Sequence, residues 1–101
     1  MPELPDELLN QLLDLIDELR RETDGFLGKP GDQQLWYNRG YANGMVLALL
    51  RLGQYGALGN RLADEPGQLD GHLAMPWGKA YQHGESNGSR ETHEITGTLP
   101  S

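Results

Sequence analysis

The sequence has no cysteine among its 101 residues, so neither disulfides nor thiolate metal ligands can stabilise it. Hydrophobic residues make up only 37% of the chain, and no run approaches the roughly 20 apolar residues that cross a bilayer. Lysine and arginine number 8 against 15 acidic residues and are scattered, which argues against direct nucleic-acid binding. We therefore expect neither membrane insertion nor direct contact with nucleic acid. Polar residues interrupt the first apolar run, so we also expect no secretory leader.

The acidic charge is divided unevenly along the chain. Residues 1–25 carry a net charge of −6, residues 26–63 carry +3 and residues 64–101 carry −4. An acidic first segment beside a basic second segment favours their pairing, although exposed ion pairs contribute only about a few tenths of a kcal/mol each.

The first segment has the pattern of an amphipathic helix over about residues 5–23. Pro5 suits a first helical position, and acidic residues follow it at the positive end of the helix dipole. Leucine and isoleucine recur every three or four residues, which predicts one apolar face. Gly25 suits the position after the helix, with Phe26 folding back on its last turn.

A second helix is predicted over about residues 33–52. Asp32 is a good N-cap and Gly53 a good stop signal. Leu35, Ala42, Val46, Leu49 and Leu50 form its apolar stripe, with Met45 and Leu52 at the edge. Because the connection to the first helix is short, we expect an antiparallel two-helix hairpin.

A bare surface is predicted on the second helix, opposite its leucine stripe. Gly40 and Gly44 lie four residues apart and Ala48 follows four further on. An interior glycine costs a helix roughly 1 kcal/mol relative to alanine, so a closely packed partner is expected here. A second copy, the C-terminal segment or a foreign protein must supply it. Tryptophan, tyrosine and arginine are enriched at interface hot spots, and the predicted partner-binding residues are Trp36, Tyr37, Arg39, Gly40, Tyr41, Gly44, Ala48, Trp77 and Tyr81.

Arg39 has two interpretations that the sequence leaves open. Its stem could pack while its guanidinium pairs with a carboxylate of the first helix, or it could anchor a partner.

The C-terminal part is predicted to be an extended, largely irregular arm over residues 64–101. It follows a helical domain of residues 1–63, whose third helical segment is short and lies within residues 57–63. The arm carries isolated apolar anchors, namely Leu69, Leu73, Met75, Trp77, Tyr81, Ile95 and Leu99. Arg90–Thr98 could add a short strand to a neighbour, and Asn87–Ser89 is interpreted as a turn. The predicted fold class is therefore mainly α.

The candidate chemical motifs are weak. His72, His83 and His93 are about ten residues apart, unlike the close pairs of metal sites, so we interpret them as surface histidines. The glycines of 52–60 lack the Lys-Ser/Thr of a phosphate loop. Asp14, Asp17, Glu18 and Glu22 form a carboxylate face that suits solvent. We expect no catalytic residue, no metal and no cofactor.

The stretch WYNRGYANGMVLALL, Trp36–Leu50, resembles small uncharacterised proteins of tailed bacteriophages. The resemblance carries over no functional residue and implies a virion or accessory role, such as a minor capsid, cement or head-completion protein. We expect a non-enzymatic assembly protein that oligomerises or joins a larger complex, in the cytoplasm or the virion. The alternative is a small acidic inhibitor whose first helix imitates a phosphate backbone and blocks a host nucleic-acid-handling enzyme.

Overall fold

The protein is mainly helical in the computed structural model, which describes residues 4–97. Three long helices dominate, α1 (Asp6–Glu22), α2 (Gln33–Arg51) and α5 (Pro76–Ile95), and two single-turn helices lie between the last two, α3 (Tyr55–Leu58) and α4 (Pro66–Leu69). No strand is present within residues 4–97. No helix in this part of the chain is both long enough and apolar enough to cross a membrane.

Helix α1 confirms the amphipathic segment predicted over residues 5–23. Asp6 and Glu7 lie in its first turn and two arginines in its last, which complements the helix dipole at both ends. Gly25 follows with a positive φ of 76°, the left-handed conformation that glycine adopts without steric cost. The chain then forms a 3₁₀ turn, Phe26–Gly28, in which Phe26 is buried.

Helix α2 also matches its predicted bounds within one residue. The Asp32 carboxylate accepts a hydrogen bond of 3.0 Å from the Leu35 backbone N–H, as expected of an N-cap. Gly53 follows the helix with a φ of +77° and so directs the chain away from the helix axis.

The prediction of an irregular C-terminal arm is wrong for residues 76–95, which form helix α5. Asn87–Ser89 is therefore helical and not a turn, and Arg90–Ile95 is helical and not a strand. Among the predicted anchors, Leu69 and Tyr81 are buried but Met75 and Ile95 are exposed. Leu99 and Thr98 lie outside the described residues. The intrinsic helix propensity of this segment did not indicate a helix, because the stabilisation comes from packing against α2.

The buried hydrophobic side chains form two clusters. The first joins α1, α2 and α3 through seven buried side chains, Leu12, Leu13, Ile16, Met45, Val46, Leu49 and Leu58. The second joins the 3₁₀ turn, α2, α4 and α5 through Phe26, Trp36, Leu69 and Tyr81. Helix α2 contributes to both clusters, so it is the central element of the structure.

Helices α2 and α5 run parallel to each other. Gly40 of α2 lies against Tyr81 of α5, and one turn later Gly44 lies against Glu85. The contacts thus advance in the same direction along both helices. Residues 52–75, which contain α3 and α4, return the chain to the start of α2 so that α5 can run beside it.

Candidate functional site

The backbones of α2 and α5 touch directly through glycines on both helices. A Cβ placed on Gly40 would lie 2.0 Å from the Tyr81 carbonyl oxygen, and one on Gly44 would lie 2.0 Å from that of Glu85. The relation is reciprocal, since a Cβ on Gly84 would lie 2.0 Å from the Tyr37 carbonyl oxygen. The bare surface predicted on α2 is therefore covered, and its occupant is the C-terminal segment of the same chain.

The predicted partner-binding residues fall into two groups by exposure. Trp36, Gly40, Gly44, Ala48 and Tyr81 are buried inside the fold. Tyr37, Arg39, Tyr41 and Trp77 are half-buried at its surface. The buried group packs within the chain, so only the half-buried group and its neighbours are accessible to a partner in this fold.

The half-buried aromatic residues are fixed by hydrogen bonds. Tyr41 donates to the Glu91 carboxylate at 2.7 Å, and the Tyr37 hydroxyl accepts from the Asn87 side-chain amide at 2.9 Å. Burial, together with that hydrogen bond to Glu91, raises the pKa of the Tyr41 phenol. These bonds join the exposed edges of α2 and α5 beside the glycine contacts.

Asp64 is the centre of a polar network that the sequence did not indicate. Its side chain is only 5% exposed and forms a bidentate ion pair with Arg39, at 2.9 and 3.1 Å. The Tyr81 hydroxyl donates to the same carboxylate at 2.6 Å. The Asp64 backbone N–H donates to the Asn43 side chain at 2.7 Å. Residues 63–65 are thereby tied to both α2 and α5.

The pKa of Asp64 results from opposing effects. Burial alone would raise it, but hydrogen bonds from Arg39 and Tyr81 favour the carboxylate and leave the pKa below its ordinary value. Burial and the bond to Asp64 raise the pKa of Tyr81. The carboxylate is therefore ionised and the phenol neutral around neutral pH.

Arg39 takes the first of its two predicted roles, with a different partner. Its guanidinium pairs with Asp64 and donates to the Thr23 hydroxyl at 3.4 Å. It also lies over the Phe26 ring, 5.0 Å from the centroid, a cation–π contact. The expected carboxylate of α1 is replaced by one from the segment between α3 and α4, because that segment folds back over the start of α2.

The carboxylate face of α1 is exposed at Asp14, Glu18 and Glu22, as predicted. Asp17 differs from them, because it accepts two hydrogen bonds of 2.8 Å from Arg61. These bonds are the main cause of its lowered pKa.

The histidines are not all at the surface. His83 is exposed and His72 is half-buried, where it accepts a hydrogen bond of 3.1 Å from the Trp77 indole. The surface interpretation is wrong for His93, which is only 3% exposed because α5 turns this residue inward. Within the described part of the chain, no group of three or more metal-ligating side chains is brought together.

A groove follows one side of the α2–α5 seam. Its first half is a cleft of about 360 Å³ lined by leucines and carboxylates, including Leu47, Leu69, Leu73, Asp64 and Glu85. Its second half, also about 360 Å³, is lined by arginines and serines, namely Arg51, Arg90, Ser86 and Ser89. Leu47, Gln82 and Glu85 line both halves, so the two clefts adjoin along the seam. We call this surface the seam groove.

The seam groove could not be located from the sequence before α5 was known to be a helix. The available signal was the repeat of the glycine spacing, since Gly84 and Gly88 on α5 reproduce that of Gly40 and Gly44. Comparisons with protein-family models, curated proteins and solved structures found no match to this chain.

Proposed function

We propose that this chain is a non-enzymatic structural or assembly protein that docks on a larger protein complex, or on further copies of itself, through the seam groove. The groove is the observation that carries the proposal. It combines apolar side chains such as Leu47 and Leu73 with polar groups, a composition typical of binding surfaces. The groups around it are held by internal hydrogen bonds, so the surface is preorganised for association.

The titratable groups support a binding role over catalysis. Catalytic acids and bases need a shifted pKa and access to a substrate. The strongest upward pKa shifts in the described residues belong to Tyr41 and Tyr81, and both phenols already donate to carboxylates of the same chain. They join α5 to the rest of the fold, which is a structural task.

The resemblance of Trp36–Leu50 to small proteins of tailed bacteriophages supports the proposal of a role in a virion or its assembly. A predicted hairpin of α1 and α2, completed by α5, would then present the seam groove to capsid or head-completion components. The proposed localisation is the virion, or the cytoplasm during assembly.

Light scattering on the purified protein, alone and with assembly components, tests the proposal. We expect association that Leu47→Ser weakens, because Leu47 lines both halves of the groove. Leu15→Ser is the matched control, since Leu15 is a partly exposed leucine of α1 outside the groove. A protein that stays monomeric and has no affinity for those components contradicts the proposal.

A second function is favoured by the exposed carboxylates Asp14 and Glu18 on α1. In this case the chain is an acidic inhibitor of a nucleic-acid-handling enzyme, and α1 occupies the enzyme's nucleic-acid site. Changing both residues to lysine should then abolish inhibition, and binding should weaken steeply with salt. The same changes should leave docking through the seam groove unaffected, which separates the two functions.

A further inference from the structure

We propose that the seam groove binds an extended partner segment of four or five residues, apolar and basic at one end and acidic at the other. This inference rests on the proposed docking function and specifies the chemistry of the occupant.

The first half of the groove favours an apolar residue next to a cation. Leu47 and Leu73, which are half-buried, supply apolar surface there, and the lining contains two carboxylates but no lysine, arginine or histidine. Burial of an aliphatic side chain against these leucines removes apolar surface from water, which favours binding.

Glu85 is the carboxylate that would meet the cation. The charge of Asp64 is already matched by the bidentate Arg39. Glu85 instead accepts a hydrogen bond of 2.8 Å from the neutral amide of Asn43. That bond orients the carboxylate without neutralising it, so a lysine or arginine of the partner gains a charge-assisted hydrogen bond.

The second half of the groove is predominantly basic, because it adds two arginines to the shared Glu85. Arg51 and Arg90 line it, and Arg51 is oriented by a hydrogen bond of 3.0 Å to the Ser89 hydroxyl. Arg90 lies 3.7 Å from Glu94 and 3.9 Å from Glu91, and its side chain is 58% exposed. Loose, exposed pairs of this kind are worth little, so an acidic partner residue can compete for the guanidinium.

The length of the groove sets the length of the segment. The lining of α5 extends from Tyr81 to Arg90, which at 1.5 Å per residue is roughly 14 Å. An extended chain rises roughly 3.3 Å per residue, so four or five residues span both halves. A small metabolite would fill one half and leave the charges of the other without a counterpart.

NMR titration of the ¹⁵N-labelled full chain tests the inference. The probes are acetylated and amidated pentapeptides, Leu-Lys-Ala-Ser-Glu and its reversed order, because an extended segment can run along the groove in either direction. The control peptides, Leu-Glu-Ala-Ser-Lys and its reversed order, have the same composition with the two charges exchanged. We expect one of the first two to shift the amide signals of Leu47, Leu73 and Ser86, with a dissociation constant at least fivefold lower than that of either control.

Variants identify the contacts. Glu85→Gln should weaken binding of the favoured peptide about fivefold, because the lost carboxylate removes a charge-assisted contact. Glu18→Gln on α1 is its matched control and should leave binding unchanged. In Glu85→Gln, glutamine keeps an oxygen that can accept the Asn43 hydrogen bond, so the exchange removes the charge alone. Gln82→Arg adds a cation beside Glu85 at an exposed position, and it should also weaken binding by repelling the basic residue of the peptide.

Equal affinity for a charge-exchanged peptide overturns the inference, as do signal shifts outside the groove or no shifts with any peptide. Light scattering separates this failure from that of the proposed function. If the protein associates with assembly components in a Leu47-dependent way but no peptide binds, the inference fails and the docking function stands. If neither association nor peptide binding occurs, both fail.

Discussion

Replacing Gly44 by alanine should destabilise the protein, although alanine is the better helix former. On an exposed helix surface the exchange would stabilise by up to about 1 kcal/mol. At Gly44 the new Cβ would lie 2.0 Å from the Glu85 carbonyl oxygen and 2.8 Å from the Ser89 nitrogen. Ordinary contacts of a Cβ begin near 3.4 Å, so the backbones must separate by more than 1 Å. Overpacking of this kind costs about 1–3 kcal/mol.

Urea denaturation followed by circular dichroism measures this effect as the change in free energy of unfolding. The control is Gly56→Ala in α3, where the added Cβ has no neighbour within 4 Å and φ is not positive. We expect Gly44→Ala to lower the free energy of unfolding by about 1–3 kcal/mol and Gly56→Ala to leave it unchanged or raise it. A Gly44→Ala protein as stable as the parent would refute the close approach of α2 and α5.

Three further predictions concern the polar contacts. The free energy of unfolding should fall as the pH drops below about 4, the ordinary pKa of an aspartate, because the folded pKa of Asp64 is lowered and its ionised form is lost at acid pH. Asp64→Asn should flatten this part of the acid-unfolding curve, and an unchanged curve would contradict the assignment. Asp32→Ala should lower the free energy of unfolding by about 0.5–2 kcal/mol, because it removes the N-cap of α2. Urea denaturation measures this loss, and an unchanged free energy would show that the cap contributes nothing. Arg61→Ala should lower the free energy of unfolding by less than about 1 kcal/mol, because its ion-pair partner Asp17 is 45% exposed. A larger loss in the same assay would contradict the assignment of Arg61 and Asp17 as a surface pair.

The first half of the fold follows from local signals. These signals involve only residues close together in the sequence: the apolar period of α1, the N-cap Asp32 and the left-handed Gly25. Such signals depend little on distant packing, so the bounds of α1 and α2 were predicted within one residue. The spacing of Gly40 and Gly44 also indicated that something would pack closely there.

Helix α5 was missed because its local signals favour a loop. It contains Gly78, Gly84 and Gly88 and few large apolar residues, and each interior glycine costs about 1 kcal/mol. Gly84 and Gly88 allow its backbone to approach α2, whereas Gly78 lies against residues 72–73. The feature that weakens the isolated helix therefore stabilises the packed one, and only the matching spacing on α2 could have indicated it.

The polar network around Asp64 was not predictable for a different reason. Its side-chain partners, Arg39 and Tyr81, lie 25 and 17 residues away in the sequence. No local pattern marks a residue whose role depends on the return path of residues 52–75. The same holds for the seam groove, which exists only once α5 lies beside α2.

The parallel pairing of α5 with α2 in the same chain is the central claim, and pulsed electron spin resonance between two spin labels tests it most directly. Because the chain has no cysteine, labels can be attached at introduced cysteines alone. We predict short distances for Gln33→Cys with Lys79→Cys, and for Arg51→Cys with Glu94→Cys. Gln33→Cys with Glu94→Cys should give a separation longer by roughly 20 Å or more, nearly the length of the helix. Each distance should persist when labelled protein is diluted with unlabelled chains. Short distances for the Gln33–Glu94 pair, or signals that disappear on dilution, would contradict the account.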